Sequence, residues 1–194
     1  MTINEEFERV RNGKSDIFEH MPTLKEYASR VEHITEFGVR TGRSTIALLA
    51  GKPQIMHSYD IDGQTFGNNE LYTKLAKEQG TDFKFIIADD RKVEIEETDL
   101  LFIDTNHTYE QLNTELSLHA NKVRRYIILH DTAVPPWNGA CDSPGMWVAV
   151  GNLLSKGEWY VHKVFTNNNG LTVLARRKNY NAEWREDFGM EFRE

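Results

Sequence analysis

The sequence predicts an α/β protein with a doubly wound, mostly parallel seven-stranded sheet, helices on both faces and a terminal antiparallel hairpin. Two observations support this fold class. From residue 33 to residue 131, β-prone runs alternate with helical patterns, so consecutive strands need crossover connections and pair in parallel. The last two β-prone runs, 159–165 and 171–176, flank Asn-Asn-Asn-Gly at 167–170, which is a strong signal for a tight hairpin.

Length and composition indicate one globular domain over residues 1–194, with an N-terminal helix within 1–19, a core at 20–178 and a tail at 179–194. Hydrophobic residues make up 39% of the chain, which is enough for a substantial core. The formal net charge of -7 argues against nucleic acid and anionic membranes as partners and favours a small-molecule substrate. We expect the chain to fold as a monomer or as a homo-oligomer.

Cysteine content and hydropathy indicate a cytoplasmic location. The single cysteine, Cys141, excludes an intramolecular disulfide framework. The N-terminus has no basic segment followed by an apolar core, as a secretory signal would have. No run approaches the roughly 18 apolar residues that a membrane-spanning helix needs.

The first elements of the chain lead into a strand, a glycine loop and a helix. Residues 3–12 carry apolar side chains at helical spacing, and Asn12-Gly13 ends that helix. Pro22 suits the first turn of a second helix, whose apolar stripe leads to the first strand at residue 33. That strand passes through a loop with two glycines into a short apolar helix, which Gly51 ends.

The middle of the chain continues the alternation of strands and helices. One helical pattern covers residues 69–79 and is closed by Gly80, and a second carries apolar residues from Tyr109 to Val123. A third is predicted from about residue 145 to residue 154. The intervening strands are predicted at 54–60, 83–88, 100–103 and 126–129.

Two segments outside this pattern have no assigned role. The loop at 134–146 contains Pro-Pro-Trp-Asn-Gly, whose turn-forming residues suit a lid. The charged tail places aromatic residues four positions apart, which suits a helix or a contact with a partner subunit. Those aromatic residues are Tyr180, Trp184 and Phe188.

Acidic side chains follow the successive strands of the predicted parallel sheet. Parallel topology brings the carboxyl ends of these strands to one edge, where ligands of such sheets bind. Each acid taken alone could instead be a helix cap or a solvated loop residue. The residues concerned are Glu36, Asp60, Asp89, Asp104 and the pair His130-Asp131.

The loop after the first strand is suited to binding a ligand. Gly38 would let the backbone turn sharply off the strand, Gly42 would let it approach a ligand closely, and Ser44 would cap the following helix. The glycine spacing matches neither the three-glycine dinucleotide fingerprint nor a P-loop, so phosphate binding is not expected. A purely structural turn between strand and helix is the alternative.

Together these motifs resemble those of class I S-adenosylmethionine-dependent methyltransferases, in the branch of metal-dependent sugar and small-molecule O-methyltransferases and cephalosporin-hydroxylase-like proteins. The resemblance spans roughly residues 20–178 and implies a Rossmann-like fold. It rests on the order and spacing of five segments: Glu-Phe-Gly-x-x-x-Gly-x-Ser-Thr at 36–45, Ser-Tyr-Asp at 58–60, Asp-x-x-His-x-Tyr-Glu at 104–110, Ile-Ile-Leu-His-Asp-Thr at 127–132 and Asn-Gly-Leu-Thr-Val-Leu at 169–174.

The resemblance implies that S-adenosylmethionine binds at the glycine loop and the strand ends. Gly38 and Gly42 would line its methionine part, and Asp60 would accept hydrogen bonds from its ribose hydroxyls. Asp89 would lie near the adenine, and Glu36 would orient the loop or meet the ligand's amino group. The implied cofactor-binding residues are Glu36, Gly38, Thr41, Gly42, Ser44, Asp60, Asp89 and Asp104.

The resemblance also implies methyl transfer to a hydroxyl of a sugar or another small metabolite, assisted by a divalent metal. Asp104, His130 and Asp131 would hold the ion, and His107 would be the general base. On its own, His107 could equally be a capping or buried histidine. His130 stands where the family usually has an acid. Magnesium prefers oxygen ligands and imidazole suits manganese, so both ions are considered.

Two other functions fit the same residues. A methyltransferase-like fold can serve as a non-catalytic binding protein, because fold does not determine function. Alternatively, His107, His130 and Asp131 could form the two-histidine, one-carboxylate iron site of an oxygenase, although a doubly wound sheet is unusual for such enzymes. The sequence does not identify the methyl acceptor.

Overall fold

The computed structural model describes residues 1–134 and 142–179. The strands are β1 (His33–Phe37), β2 (Ile55–Asp60), β3 (Asp82–Ile87), β4 (Thr98–Ile103), β5 (Val123–His130), β6 (Trp159–Phe165) and β7 (Leu171–Arg176). They form one seven-stranded sheet in the order β3-β2-β1-β4-β5-β7-β6. Strands β1 to β5 are parallel, and β7 is antiparallel to both β5 and β6. The predicted fold class is therefore confirmed.

Helices cover both faces of this sheet and create two hydrophobic cores. The helices are α1 (Ile3–Arg11), α2 (Met21–Ala28), α3 (Arg43–Leu49), α4 (Asn69–Gln79), α5 (Tyr109–His119) and α6 (Ser143–Leu154). Buried hydrophobic residues of α1 to α4 belong to one core, and those of α5 and α6 belong to the other. Alternate residues of β5 serve the two cores, because successive side chains of a strand point to opposite faces. No helix in the described part of the chain has the length and hydropathy of a membrane span.

The boundary between α5 and β5 differs from the sequence prediction. The helical pattern was expected to reach Val123, but α5 ends at His119 and residues 120–122 form a single 3₁₀ turn. Val123 begins β5 and pairs with Thr98 of β4, which itself starts two residues earlier than expected. A β-branched residue that is fully buried between strands gains more from the sheet than from the end of a helix.

The terminal hairpin forms as predicted, and it also holds part of the N-terminal segment. The amide of Gly170 donates to the Asn167 carbonyl at 2.8 Å. Asn168 and Asn169 have φ values of 46° and 70°, a left-handed conformation that asparagine tolerates. The side chain of Asn168 donates to the carbonyl of Ser15 at 3.0 Å. The hairpin therefore anchors the segment between α1 and α2 at the carboxyl edge of the sheet.

The segment that was expected to form a lid lies mostly outside the described residues. The description resumes at Asp142, whose carboxylate accepts a hydrogen bond from the Gly145 amide at 3.0 Å and caps α6. Because of this cap, α6 starts two residues before its predicted position. The aromatic tail after residue 179 also lies outside the described part of the chain.

Candidate functional site

A cleft opens at the carboxyl ends of the strands, where the strand order reverses between β1 and β4. The chain leaves β1 for β2 on one side and returns to β4 on the other, and parallel sheets bind ligands at such switch points. The cleft encloses about 400 Å³, a size typical of small-molecule sites. Its lining residues are Gly38, Arg40, Tyr59, Asp60, Ile61, Asp62, Thr65, Ala88, Asp89, Asp90, Arg91, Asp104, Thr105, Asn106 and Gln111.

Gly38 lets the backbone turn sharply at the end of β1, as predicted. Its φ is 84°, and a Cβ atom there would lie 2.0 Å from the carbonyl oxygen of Asp104. Its amide donates to the Tyr59 carbonyl at 2.9 Å. The turn is therefore in close contact with the ends of β2 and β4, and a side chain at this position would push those strand ends apart.

The second glycine of the loop packs against an aromatic ring. Gly42 has a φ of 80°, but a Cβ atom there would lie 2.3 Å from a ring carbon of Phe66. Phe66 therefore occupies the position that a side chain at residue 42 would take, and the close approach of a ligand to the Gly42 backbone stays a prediction. Gly42 is also the N-cap of α3, so the helix starts two residues earlier than a Ser44 cap would require. The expected cap, Ser44, is instead buried within the first turn.

Glu36 lies fully buried beneath the glycine loop. Its Oε2 atom accepts hydrogen bonds from Thr45 Oγ1 at 2.9 Å and from Ser58 Oγ at 2.6 Å. Its Oε1 atom has no hydrogen-bond partner within the described residues. Burial raises the pKa of Glu36 to about 7, although the neighbouring hydroxyls oppose that shift. Glu36 thus connects β1 to α3 and β2, and its expected role in orienting the loop stays a prediction.

Asp60 at the end of β2 holds the glycine loop from the side. Its Oδ2 atom accepts hydrogen bonds from the amides of Val39 at 2.8 Å and Arg40 at 2.9 Å, and Oδ1 accepts one from the Asp62 amide at 2.9 Å. A carboxylate oxygen accepts about two hydrogen bonds, so only Oδ1 retains capacity for a ligand donor. Arg40 has a left-handed φ of 49°, which these bonds help to maintain.

Two adjacent acids after β3 line the far side of the cleft. Asp89 accepts hydrogen bonds from Arg91 at 2.9 Å and 3.0 Å, and this guanidinium holds the pKa of Asp89 well below its usual value. Asp90 is buried and accepts a hydrogen bond from the Gln111 side chain at 3.1 Å. Asp89 therefore has a charged partner already, whereas Asp90 and Gln111 form a polar pair on the cleft wall.

Four titratable side chains meet where β4 and β5 end, and we call them the acid–histidine cluster: Asp104, His107, His130 and Asp131. The Nε2 atom of His107 lies 3.1 Å from Asp104 Oδ1 and 3.2 Å from Asp131 Oδ2. Asp131 has a φ of 56°, an uncommon conformation of the kind found at functional sites. Asp104, His107 and Asp131 each offer a ligand atom, and these atoms lie within 4.8 Å of one another.

His130 is the buried member of the cluster, with a side chain only 1% exposed. Its Nε2 atom donates to the carbonyl of Asp16 at 3.1 Å, and its Nδ1 atom lies 3.2 Å from Asp104 Oδ1. Burial lowers the pKa of His130, but the hydrogen bond and charge of Asp104 outweigh burial and raise it to about 9. Burial likewise raises the pKa of Asp104, but His107 and His130 hold it well below its usual range. His130 is therefore protonated at neutral pH. Loss of its Nδ1 proton would direct a lone pair toward the carboxylates of Asp104 and Asp131.

The structure brings together some of the predicted site residues and separates others. Gly38, Asp60, Asp89 and Asp104 line the cleft, and His107, His130 and Asp131 adjoin it through Asp104. The remaining predicted residues do not line it: Glu36, Thr41, Gly42 and Ser44.

Sequence reasoning missed several residues of the site. Asp62 and Asp90 line the cleft, and each follows within two positions of an acid that was predicted. The two acids at the end of β2 and the two that follow β3 were thus a sequence signal for the cleft lining. Gln111 on α5 and the carbonyl of Asp16 gave no local signal, because their partners are distant along the chain.

No protein-family model and no curated protein shows significant sequence similarity to this chain. Solved structures do share its fold. One is a Staphylococcus aureus protein provisionally assigned as a caffeoyl-CoA O-methyltransferase, with a TM-score of 0.67 and 13% identity over 91% of this chain and 92% of that chain. Another is an O-methyltransferase from Bacillus cereus in complex with S-adenosylhomocysteine, with a TM-score of 0.66 and 14% identity over 90% of each chain.

A third similar structure is the magnesium protoporphyrin IX methyltransferase of Synechocystis with bound S-adenosylmethionine. It has a TM-score of 0.62 and 15% identity over 89% of this chain and 91% of that chain. Such low identities establish a shared architecture and nothing finer. The chain therefore has the Rossmann-like fold of these methyltransferases, in agreement with the seven-stranded sheet and its switch point.

Proposed function

We propose that this protein is an S-adenosylmethionine-dependent methyltransferase that transfers a methyl group to a hydroxyl of a sugar or another small metabolite. The observation that carries the proposal is the cleft at the switch point of the sheet, which the acid–histidine cluster adjoins directly. Proteins of the same fold have been solved with S-adenosylmethionine or S-adenosylhomocysteine bound. The cleft supplies a place for the cofactor, and the cluster supplies groups that can remove a proton.

The charge of the cleft suits S-adenosylmethionine. The ligand carries a sulfonium cation, and its reactive methyl group is electrophilic. Five carboxylates line the cleft against two arginines, and one of those arginines is paired with Asp89. A negative surface of this kind attracts a cation and stabilises it where water is partly excluded. The acids concerned are Asp60, Asp62, Asp89, Asp90 and Asp104.

His107 is suited to accept the proton of the methyl acceptor. Its Nε2 atom faces two carboxylate oxygens, so this nitrogen carries the ring proton in the neutral tautomer and Nδ1 is left as the acceptor. When Nδ1 takes a proton, Asp104 and Asp131 stabilise the resulting imidazolium, as the carboxylate does in a catalytic triad. The same two carboxylates hold the ring in one orientation. An alcohol is a poor nucleophile, so removal of its proton is the step that needs help.

The acid–histidine cluster also fits a divalent metal ion. Asp104 and Asp131 offer carboxylate oxygens, and His130 offers a nitrogen if it loses its Nδ1 proton, because that atom lies 3.2 Å from Asp104 Oδ1 and 3.4 Å from Asp131 Oδ1. With these three residues as ligands, His107 remains available as the base. An ion held there would lower the pKa of a bound hydroxyl. The mixed donor set favours manganese over magnesium, because magnesium prefers oxygen ligands only.

Calorimetric titration with S-adenosylhomocysteine tests the first half of the proposal. We expect binding, and Asp60→Ala should weaken it roughly tenfold or more, because hydrogen bonds to a charged group contribute about 1.5–3 kcal/mol. Glu158→Ala, which removes an acid from the far hairpin edge, should bind like the wild type. Absence of binding at millimolar ligand in the folded wild-type protein would refute the proposal.

A methyl-transfer assay tests the second half and identifies the acceptor. Labelled S-adenosylmethionine is incubated with the protein and a panel of hydroxylated metabolites, with manganese or magnesium added. We expect label to appear on at least one hydroxyl compound. If S-adenosylhomocysteine binds but no acceptor is methylated across a broad panel, the alternative of a non-catalytic binding protein is favoured instead.

A further inference from the structure

A second group of metal-ligating side chains lies at the opposite end of the sheet from the cleft. It consists of His33, His57 and Glu96, and we call it the amino-edge cluster. His33 is the first residue of β1, and Glu96 precedes the start of β4 by two positions. From His33 to Phe37, where the cleft begins, β1 extends about 13 Å at 3.3 Å per residue. The two clusters therefore do not share ligands.

The two histidines are neighbours on one face of the sheet. Thr35, two residues after His33 in β1, pairs with His57 in β2, so both imidazoles project from the same side. Their ring centroids lie 5.4 Å apart, with the rings nearly perpendicular. Each residue is only 6% exposed. Strand pairing thus fixes the distance between the two rings independently of any ligand.

Both imidazoles have a buried nitrogen that makes no hydrogen bond. The Nε2 atoms of His33 and His57 have no partner among residues 1–134 and 142–179. A buried polar atom without a partner costs about 1–3 kcal/mol, so two such atoms side by side call for an explanation. Burial lowers the pKa of both histidines, which leaves them neutral with a lone pair available at neutral pH. A neutral imidazole is the form that binds a metal ion.

Glu96 completes the donor set from the segment between β3 and β4. One ligand atom from each of His33, His57 and Glu96 lies within 4.8 Å of the others. Another nearby carboxylate, Asp99, is already engaged, because it accepts hydrogen bonds from the amides of Glu32 and His33. Glu96 is exposed, so its side chain can adjust while the two histidines stay in place.

We propose that His33, His57 and Glu96 form a second metal site, which binds a divalent transition-metal ion of the zinc type. Two imidazole nitrogens and one carboxylate oxygen, with water in the fourth position, are a common tetrahedral donor set for zinc. Zinc–ligand bonds of about 2.0–2.2 Å place neighbouring ligand atoms about 3.4 Å apart. The three ligand atoms lie within 4.8 Å of one another, so a small adjustment completes the site, and the exposed Glu96 side chain can make it. Magnesium and calcium are disfavoured, because both prefer oxygen ligands.

Such an ion would join three separate parts of the sheet. It would bind β1, β2 and the segment that enters β4, and it would satisfy the two buried nitrogens at once. Because the folded chain brings these ligands together and the unfolded chain does not, zinc would bind mainly the native state. Zinc should therefore raise the melting temperature without any involvement of the cleft.

The test titrates zinc into metal-free protein in competition with a chromophoric chelator. The double substitution His107→Gln and Asp131→Asn is made first, so that the acid–histidine cluster cannot contribute. We expect one equivalent of zinc to bind with micromolar affinity or tighter, and no response to magnesium. Adding Glu96→Gln should weaken binding at least tenfold, and adding His57→Gln should abolish it. Glu94→Gln, a neighbouring exposed acid paired with Lys122, is the matched control and should bind like the background protein.

A measurement on the wild-type chain guards against variants that fail to fold. In ¹⁵N-edited imidazole spectra, zinc should shift the Nε2 resonances of His33 and His57. The proposal is overturned if the background protein binds no zinc. It is also overturned if Glu96→Gln and His57→Gln bind as tightly as Glu94→Gln, or if neither Nε2 resonance moves in the presence of excess zinc.

Discussion

At the scale of single residues, two acids at or beneath the cleft differ in how readily they bind a proton. Glu36 is fully buried with a raised pKa, whereas Asp104 is kept ionised by His107 and His130. The difference arises from their partners: the buried Glu36 accepts hydrogen bonds from neutral hydroxyls and is repelled by the charge of Asp104, whereas Asp104 lies beside two imidazoles. The consequences for stability and for catalysis can be tested separately.

The first prediction concerns the pH dependence of stability. The pKa of Glu36 is raised from 4.5 to about 7, so between these pH values the folded chain binds more protons than the unfolded chain. Stability therefore falls as the pH rises through this window, by about 3 kcal/mol in total at 1.36 kcal/mol per unit. Glu36→Gln should remove this contribution, and denaturant unfolding at pH 5 and pH 8 measures it. Glu32→Gln, an exposed acid four residues earlier, should leave the wild-type slope unchanged, and an equally steep slope in Glu36→Gln would contradict the prediction.

The second prediction concerns the proposed base. His107→Gln should lower turnover by about 10²–10⁴-fold, the usual contribution of general acid–base catalysis. Because His107 is outside the cleft lining, affinity for S-adenosylhomocysteine should be nearly unchanged. Steady-state kinetics together with calorimetry separate the two quantities. Turnover close to wild type in a folded variant would exclude His107 as the base.

At the scale of secondary-structure elements, the loop between β1 and α3 is held by packing rather than shaped by a ligand. Gly38 contacts the end of β4, Phe66 fills the space over Gly42, and Asp60 binds two loop amides. The loop is therefore preorganised in the described structure, and its glycines are needed even when the cleft contains no ligand.

The third prediction uses a matched pair of glycines to separate the cost of backbone strain from the cost of a steric clash. Gly38 and Gly157 have similar left-handed φ values of 84° and 77°, but no described atom lies within 4 Å of a Cβ atom at Gly157. Gly157→Ala should cost about 1–2 kcal/mol from backbone strain alone. Gly38→Ala should cost clearly more, about 3 kcal/mol or above, because backbone atoms of β4 must move. Chemical denaturation measures both, and equal losses would show that the contact with Asp104 is unimportant.

At the scale of the whole molecule, the sheet separates two chemical environments. The carboxyl edge contains the cleft and the acid–histidine cluster, and the amino edge contains His33, His57 and Glu96. The two edges share strands β1 and β2 but no ligand atoms. Metal chelation is therefore expected to affect the molecule in two independent ways.

The fourth prediction separates those two effects. A chelator should abolish methyl transfer but leave the affinity for S-adenosylhomocysteine nearly intact. Manganese should restore activity better than magnesium, because the proposed catalytic site includes an imidazole ligand. The Glu96→Gln variant should lose and regain methyl transfer in the same way, since residue 96 lies at the other edge of the sheet. Full activity in the presence of excess chelator would exclude a catalytic metal, and His107 would then act without one.

Much of this fold was predictable because the signals that define its elements are local. Alternation of β-prone and helical runs identified β1 to β5, and Asn167 to Gly170 identified the hairpin of β6 and β7, since left-handed turns favour asparagine and glycine. Acids that follow successive strands also identified the edge where the cleft lies, because each acid is next to its strand along the chain. The N-cap of α3 was misplaced because its position depends on how Gly42 packs against Phe66, 24 residues away.

The sequence by itself determined the order of elements, the parallel sheet and the edge at which polar residues collect. Only the tertiary structure decided which of those polar residues already have hydrogen-bond partners within the chain. Asp60 is bound by amides 20 and 21 residues away, His130 lies 26 residues from Asp104, and His33 meets His57 through strand pairing. Hydrogen bonds and burial join residues that are distant along the chain, and those contacts set each group's pKa and remaining capacity to bind.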